Sequence, residues 1–513
     1  MNYAFIIDNR KCIGCHACTV ACKAEHDTPI GVNRTWVKYI EKGDFPNTHR
    51  AFSVMRCNHC SDAPCVPICP VTALTTRDDG VVDFDAGRCI GCKACMQACP
   101  YDAIHIDPYN KTVAKCNYCA HRVEIGLEPP CVNICPTHAI ISGDKDNPQS
   151  EISTILSQHP VQVRKPEKGT DPKLYYIHGD EASLSPGATT GGEYMWSDVP
   201  PIGVDPDSWR TALERQATEL ERPAYQLKQV GARKVYATAE PHRGSWARSV
   251  SSHLITKSIA AGIMLTLAPI LAFRPALPSE GLVPAAFLSL FFLGITLSLL
   301  VFKLERRDRF MWVMTRPQWR SWLTRGAFIM TGYSMLLMLL IIIQSIWGRP
   351  PNLLLILTAV MGAGSALYSA FLFNQAKGRD LWQSPILPLH RLAHAVVAGS
   401  AVLIWASLFL PSLTWLGSAL VRVFAVGLAM NLLALGFEFH TQHPTEDGEA
   451  AASTLLTGQF RYHFWMGVFA VGNLLPVFLL AQGFVLPAAL AALFGLALFD
   501  EIFVRAGQSI ALS

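Results

Sequence analysis

The sequence predicts two dissimilar parts in one chain: a small α+β domain rich in cysteine, then an all-α polytopic membrane domain of eight helices. Two observations carry this. All 16 cysteines fall between Cys12 and Cys135, and none follows. From Leu254 onward the chain runs as serial apolar spans, most close to the twenty or so residues that cross a bilayer's hydrocarbon. At 513 residues, 50% hydrophobic and 16% charged, the chain is too long for one domain and too apolar for an ordinary soluble one. A net charge of +4 is mild for this size and gives no ground for a nucleic-acid partner.

The cysteines form four groups of four: Cys12, Cys15, Cys18 and Cys22; Cys57, Cys60, Cys65 and Cys69; Cys89, Cys92, Cys95 and Cys99; Cys116, Cys119, Cys131 and Cys135. The first and third read C-x2-C-x2-C-x3-C, the run with which ferredoxins supply three thiolates to one 4Fe-4S cube and the fourth to a neighbouring one. Pro70, Pro100 and Pro136 follow the last cysteine of three groups. Structural zinc is the competing reading, but zinc knuckles require neither the third cysteine nor the proline. A disulfide framework suits small secreted domains. The opening MNYAFIIDNRKC is a short strand-like run with neither the apolar core of a signal peptide nor a twin arginine.

Between Cys69 and Cys89, alternating apolar residues flank an Asp79-Gly80 turn that suits a short hairpin. Cysteine run, proline, hairpin and cysteine run place the second and third groups in one ferredoxin-like module. Cys57, Cys60, Cys65 and Cys99 would hold one cluster there, and Cys89, Cys92, Cys95 and Cys69 another. By the same exchange, the outer groups pair around it: Cys12, Cys15, Cys18 and Cys135 for a third cluster, and Cys116, Cys119, Cys131 and Cys22 for a fourth. The expected organisation is thus a ferredoxin-like double two-cluster domain over residues 1–175. Residues 176–250, rich in Gly, Pro, Ser and charge, read as an extension or linker, with a possible helix from Trp209 to Leu227.

Residues 251–513 form the anchor, with spans at 254–273, 282–302, 326–347, 353–373, 392–410, 413–436, 464–482 and 484–504. Proline in the first, seventh and eighth is tolerable where neighbouring helices satisfy the freed carbonyls. An even number of spans puts both ends of the anchor on the side of the cluster domain. On that side fall His253, Lys257, Tyr368, Asn374, His390, Arg391, His394, Glu438, His440, Asp500, Glu501 and Arg505. Ionisable groups are costly at membrane depth without a role, and a quinol releases two protons with its two electrons. This density therefore points to a quinone site (menaquinone or ubiquinone), with His394 and Glu438 foremost and His390, Tyr368 and His253 around them. The competing reading for each is an interfacial anchor. Arg422, Asn431, Asn473 and Gln344 are the interior candidates for a polar path across the bilayer, Arg422 being better placed to snorkel outward. Haem ligation would need histidine pairs facing each other at mid-depth, so no haem is expected.

The sixteen cysteines, over roughly residues 1–190, resemble the four-cluster electron-transfer subunit of membrane-bound molybdopterin oxidoreductases of the dimethyl-sulfoxide-reductase and polysulfide-reductase type. Some members carry a tryptophan in the third group and a 3Fe-4S centre; Cys92 and its neighbours are intact here, which implies four cubanes. The resemblance also implies an order, with the Cys12 cluster nearest a molybdopterin-containing catalytic subunit and the Cys89 cluster nearest the membrane. KLERRDRFMWVMTRPQWRSWLTRGAFIMTGY at 303–333 resembles the anchor family of NrfD and polysulfide reductase, which has eight helices and handles quinone. Glu305-Arg306-Arg307 replaces that family's usual Gly-Arg-Pro, and the fusion of both parts in one chain is a further departure. Together the two resemblances imply an electron-transfer and anchor subunit linking a catalytic partner to the quinone pool of a prokaryotic inner membrane. The partner's substrate would belong to sulfite oxidation or to reduction of sulfur compounds or sulfoxides. A proton-translocating, quinone-linked module of a larger respiratory complex is the alternative. Loops on the cluster-domain side hold 14 Lys or Arg against two, Arg274 and Arg349, on the other, an excess that marks the cytoplasmic face.

Overall fold

The computed structural model describes residues 1–43, 46–186, 190–191, 232–236, 246, 248–440 and 445–512. The chain divides into two compact units, Met1–Arg243 with Ile510–Ser513, and Gly244–Ser509.

In the first unit the apolar opening run becomes strand β1 (Tyr3–Asp8). It pairs antiparallel with β8 (Ile140–Asp144) and parallel with β10 (Leu174–Ile177), and β9 (Val161–Gln162) completes the sheet. Ala4 and Ile6 on β1 pack with Ile141, Ile152 and Ile177, so the segments before and after the cysteines close on one small apolar core. A second sheet joins β2 (Thr35–Lys42) and β3 (His49–Arg56) to β12 (Ala232–Tyr236) and β11 (Thr190–Gly191). Two pieces of the 176–250 extension thus pair back onto the cysteine domain. The expected helix from Trp209 to Leu227 lies outside the described residues.

The hairpin read between Cys69 and Cys89 is present as β4 (Leu74–Thr76) against β5 (Val82–Phe84). Gly80 turns it with φ +77°, and a Cβ there would meet Lys173 Nζ and the Asn2 side chain. A matching hairpin, β6 (Ile104–Ile106) against β7 (Val113–Lys115), links the third and fourth cysteine groups.

Among its described residues the second unit has eight helices long and apolar enough to span a membrane: Arg248–Phe273, Leu282–Lys303, Trp322–Trp347, Asn352–Gln375, Leu387–Ala406, Pro411–His440, His463–Ala481 and Val485–Ser509. The fifth begins five residues before the expected 392. Pro388 sits in its first turn, where a missing N–H costs nothing, so His390 and Arg391 lie within the helix. The sixth runs on to His440 and includes Glu438. The seventh is π-helical from His463 to Leu474, just ahead of Pro476. The wider turn relieves the clash of the proline ring with the preceding carbonyls. Trp246 and Gln508 exchange hydrogen bonds of 3.0 and 2.6 Å, which closes the two ends of the unit on each other.

Small residues let the helices approach closely. Gly262 on the first span and Gly399 on the fifth sit backbone to backbone, as do Gly472 on the seventh and Gly495 on the eighth, leaving no room for a Cβ. Gly294 on the second faces open space. Replacing Gly399 by Leu should therefore destabilise the bundle, by at least the ~1–3 kcal/mol of a typical overpacked core, whereas Gly294→Ala should be silent. Thermal unfolding in detergent separates them; equal melting temperatures would show that the close crossing contributes nothing.

Candidate functional site

None of the sixteen cysteines is in a disulfide, and twelve of them are buried; Cys12, Cys92 and Cys135 are half-buried and Cys15 is exposed. Each group wraps around its sulfurs through the same local device. The residue before the second cysteine is left-handed in every group: Gly14 (φ 72°), His59 (44°), Gly91 (67°) and Tyr118 (61°). This bend turns backbone N–H groups toward sulfur, and Gly91 N donates to Cys89 Sγ at 3.3 Å. After the last cysteine a second left-handed residue, Thr72 or His138, lets the next amide turn back. Ala73 N donates to Cys69 Sγ and Ala139 N to Cys135 Sγ, both at 3.2 Å. The recurring Pro-x-x-Ala after Cys69, Cys99 and Cys135 is the sequence signal for these donors, and only its proline was read above.

The sulfurs meet across groups. Cys60 and Cys65 lie within electrostatic reach of Cys57 and Cys99, and Cys95 of Cys89, Cys92 and Cys69. Cys12 lies near Cys15 and Cys135, and Cys18 near Cys12. Cys119 lies near Cys116, Cys131 and Cys22. Between these sets, electrostatic reach links Cys18 to Cys131, Cys116 to Cys57, and Cys65 to Cys95. The four sets accordingly form a line, with the Cys12 set at one end and the Cys89 set at the other.

The donor set fits iron-sulfur clusters. Burial pushes the Cys18 and Cys99 thiols up to about 11 and the Cys22 thiol up to about 12. Such sulfurs become thiolates only when a strong positive centre is bound to them.

In the membrane unit His253, Tyr368, His390, His394 and Glu438 are all buried, and they fall into two neighbouring clusters. His253 Nε2 and Tyr368 Oη are 2.9 Å apart. Lys257, one turn on from His253, lies over the Tyr368 ring at 4.5 Å and donates to Ser369 Oγ and to the Ala366 carbonyl. In the other cluster the His390 and His394 rings are 4.6 Å apart, with Phe499 against both. Arg391 pairs with Asp500, both fully buried, and His394 Nδ1 stands 3.7 Å from the same carboxylate. Glu438 lies close to Ser384 and within electrostatic reach of Arg391. Lys257 and Asp500 also lie within electrostatic reach, which links the clusters. Sequence reasoning placed Lys257, Arg391 and Asp500 at span ends without giving them a role. Their pairing crosses more than a hundred residues of sequence and leaves no local signal.

Of the interior candidates, Asn431 Nδ2 donates to Asn473 Oδ1 at 2.8 Å, and Asn431 lies beside His390. Gln344 is occupied at its own helix end, donating to Ser279 Oγ and the Gly348 carbonyl. Arg422 is exposed on its helix.

Fold and site together define an iron-sulfur electron-transfer protein built onto its own multi-pass membrane anchor. Residues 11–74 and 48–145 each match a 4Fe-4S dicluster domain, and residues 244–511 match the family described as polysulphide reductase, NrfD. This protein belongs to that NrfD family, with its iron-sulfur domain fused ahead of the anchor. It is similar to a tetrathionate reductase subunit of Salmonella typhimurium, 43% identical over 201 residues, 38% of this chain and 80% of the relative. A polysulfide reductase component of Wolinella succinogenes is 39% identical over 180 residues, 34% of this chain and 93% of the relative. A putative dimethyl sulfoxide reductase iron-sulfur subunit of Halobacterium salinarum is 36% identical over 250 residues, 43% and 92% of the two proteins.

A buried ion pair is held by mutual compensation, so losing one partner strands the other charge. Asp500→Asn should cost ~3–5 kcal/mol. Replacing Asp500 and Arg391 together by Leu and Met should restore most of it. Melting curves of the two variants in detergent check this; a double variant no more stable than the single one would contradict the pairing.

Proposed function

We propose that this chain wires a molybdopterin-containing catalytic subunit to the membrane quinone pool through four 4Fe-4S clusters, held by the four thiolate sets predicted from the sequence. The linear succession of those sets carries the reading: four redox centres in a row make sense as a conductor between two distant reactions. When bound, the clusters supply one-electron steps; the thiolates hold them, and the inward amides of Gly91, Ala73 and Ala139 stabilise charge on sulfur. In the anchor, His253 and Tyr368 present a hydrogen-bonding pair for a quinone oxygen, and His394, His390 and Glu438 supply bases for the protons that cannot follow the electrons. Relatives named for tetrathionate, polysulfide and dimethyl sulfoxide support a sulfur compound as the partner's substrate. We place the iron-sulfur domain on the cytoplasmic face of a prokaryotic inner membrane, on the loop-charge excess.

A second reading, proton translocation by the anchor, draws support from the Asn431–Asn473 bond beside His390. It ranks second because neither Gln344 nor Arg422 extends that path toward the far face.

Anaerobically prepared protein should approach sixteen iron and sixteen sulfide per molecule, the count for four cubanes; stoichiometric zinc would sink the assignment. The double variants His253→Phe with Tyr368→Phe, and His394→Leu with Glu438→Gln, should each keep the clusters and abolish their reduction by quinol. Undiminished quinol reduction in either would remove that pair from the site. An alkaline-phosphatase fusion at Ser513 should be inactive, and an active one would place the domain outside.

A further inference from the structure

In each of the four groups the residue before the first cysteine is basic: Lys11, Arg56, Arg88 and Lys115. Lys11 is exposed and Arg88 half-buried, whereas Arg56 and Lys115 have no exposed surface at all. Both buried cations reach out of their own group. Arg56 leads into Cys57, yet its Nη1 donates to Cys131 Sγ at 3.2 Å, with Cys116 and Cys18 also within electrostatic reach. Its guanidinium lies over the Phe5 ring at 4.5 Å, and its Nε and Nη2 find no protein acceptor among the described residues. Lys115 leads into Cys116, yet its Nζ lies 3.7 Å from Cys57 Sγ, held by the carbonyls of Val82 and Cys116. Each strand thus hands its charge to the other's sulfurs, at the two junctions flanking the Cys116 set.

We propose that Arg56 and Lys115 are potential-setting residues: fixed buried positive charges that raise the reduction potentials of the two middle clusters of the line. The inference rests on the thiolate sets proposed above. One electron arriving from a quinol or a neighbouring cluster makes a cluster with its four thiolates one charge more negative, and no proton need accompany it. A buried cation within a few ångströms, in a low-dielectric interior, favours that reduced state by Coulomb attraction. An arginine, which does not lose its proton, and a lysine tied to two carbonyls hold the charge in place. The leading cations of the two end sets, Lys11 and Arg88, are exposed and half-buried and supply no comparable buried charge of their own, although Arg56 also reaches Cys18 of the Cys12 set.

The test is a redox titration followed by electron paramagnetic resonance on the anaerobically purified full-length protein, with Arg56→Gln, Arg56→Lys, Lys115→Gln and Lys115→Arg. Removing either charge should disfavour one-electron reduction of one middle cluster by about tenfold or more, a downward shift of about 59 mV per tenfold for a one-electron couple. Arg56→Lys and Lys115→Arg should hold the potential near that of the parent protein, which a purely structural role would not require. Four intact clusters with unmoved potentials in both Gln variants would overturn the proposal, as would shifts of equal size in the charge-keeping variants. If Arg56→Gln fails to load its cluster, Lys115→Gln decides: an unmoved potential there overturns the proposal, a lowered one supports it. Fewer than four clusters in the parent protein would instead count against the thiolate sets.

Discussion

Sulfur charge in a dry interior is the constraint on which the first unit depends. Twelve of the sixteen thiols are buried, at depths where an isolated thiolate is too costly to form. Bound clusters remove that cost, and the protein's share is to converge donors on the sulfurs. Left-handed residues at Gly14, His59, Gly91 and Tyr118 bend each group so that amides face inward. The β1 core is a handful of apolar residues, and the linking hairpins are three residues a strand. The clusters are therefore as much the core of the domain as its apolar side chains are.

The membrane unit meets the same constraint with its own side chains and backbone carbonyls. Its polar groups gather on the first, fourth, fifth, sixth and eighth spans, and the buried ions there have an opposite charge or oxygens nearby. Arg391 has Asp500; Lys257 has Ser369 and the Ala366 carbonyl. The first and fifth spans can bring these groups together because Gly262 and Gly399 let their backbones nearly touch. Helix packing by small residues is thus what allows charge to be neutralised within the bundle.

How far this was legible in sequence follows from the range of each interaction. Cysteine spacing and the Asp79-Gly80 turn are local, and the hairpin they implied is present. Span hydropathy is local too, and all eight helices were found, with ends up to six residues from the expected ones, the first starting at Arg248 instead of 254. A clear slip, at the fifth span, came where His390 and Arg391 break the apolar run, since only their partners on other helices make those positions habitable. The Arg56–Cys131 and Arg391–Asp500 contacts bridge 75 and 109 residues. No periodicity records such pairings. The basic residue before every first cysteine was visible as letters, but which two of the four are buried is decided by the sheet around them.

Fusion of the conductor to its anchor changes what evolution must hold by contacts. Where the two are separate subunits, an interface must overcome the lost translational and rotational freedom of association. Here one polypeptide carries both, so any encounter between them is intramolecular, at an effective concentration set by the connecting segment. The tie is made at both ends of the anchor: residues 244–509 follow the first unit, and Ile510–Ser513 belong to it again. Arg164, fully buried, donates from Nη2 to the Leu512 carbonyl at 2.9 Å and from Nε to the Leu184 carbonyl at 3.1 Å. With Leu512 held in the iron-sulfur unit, the eight-helix bundle is, in chain order, a long insertion into that unit. An even number of spans is then a requirement of the topology, since the polypeptide must enter and leave the bundle on one side of the membrane.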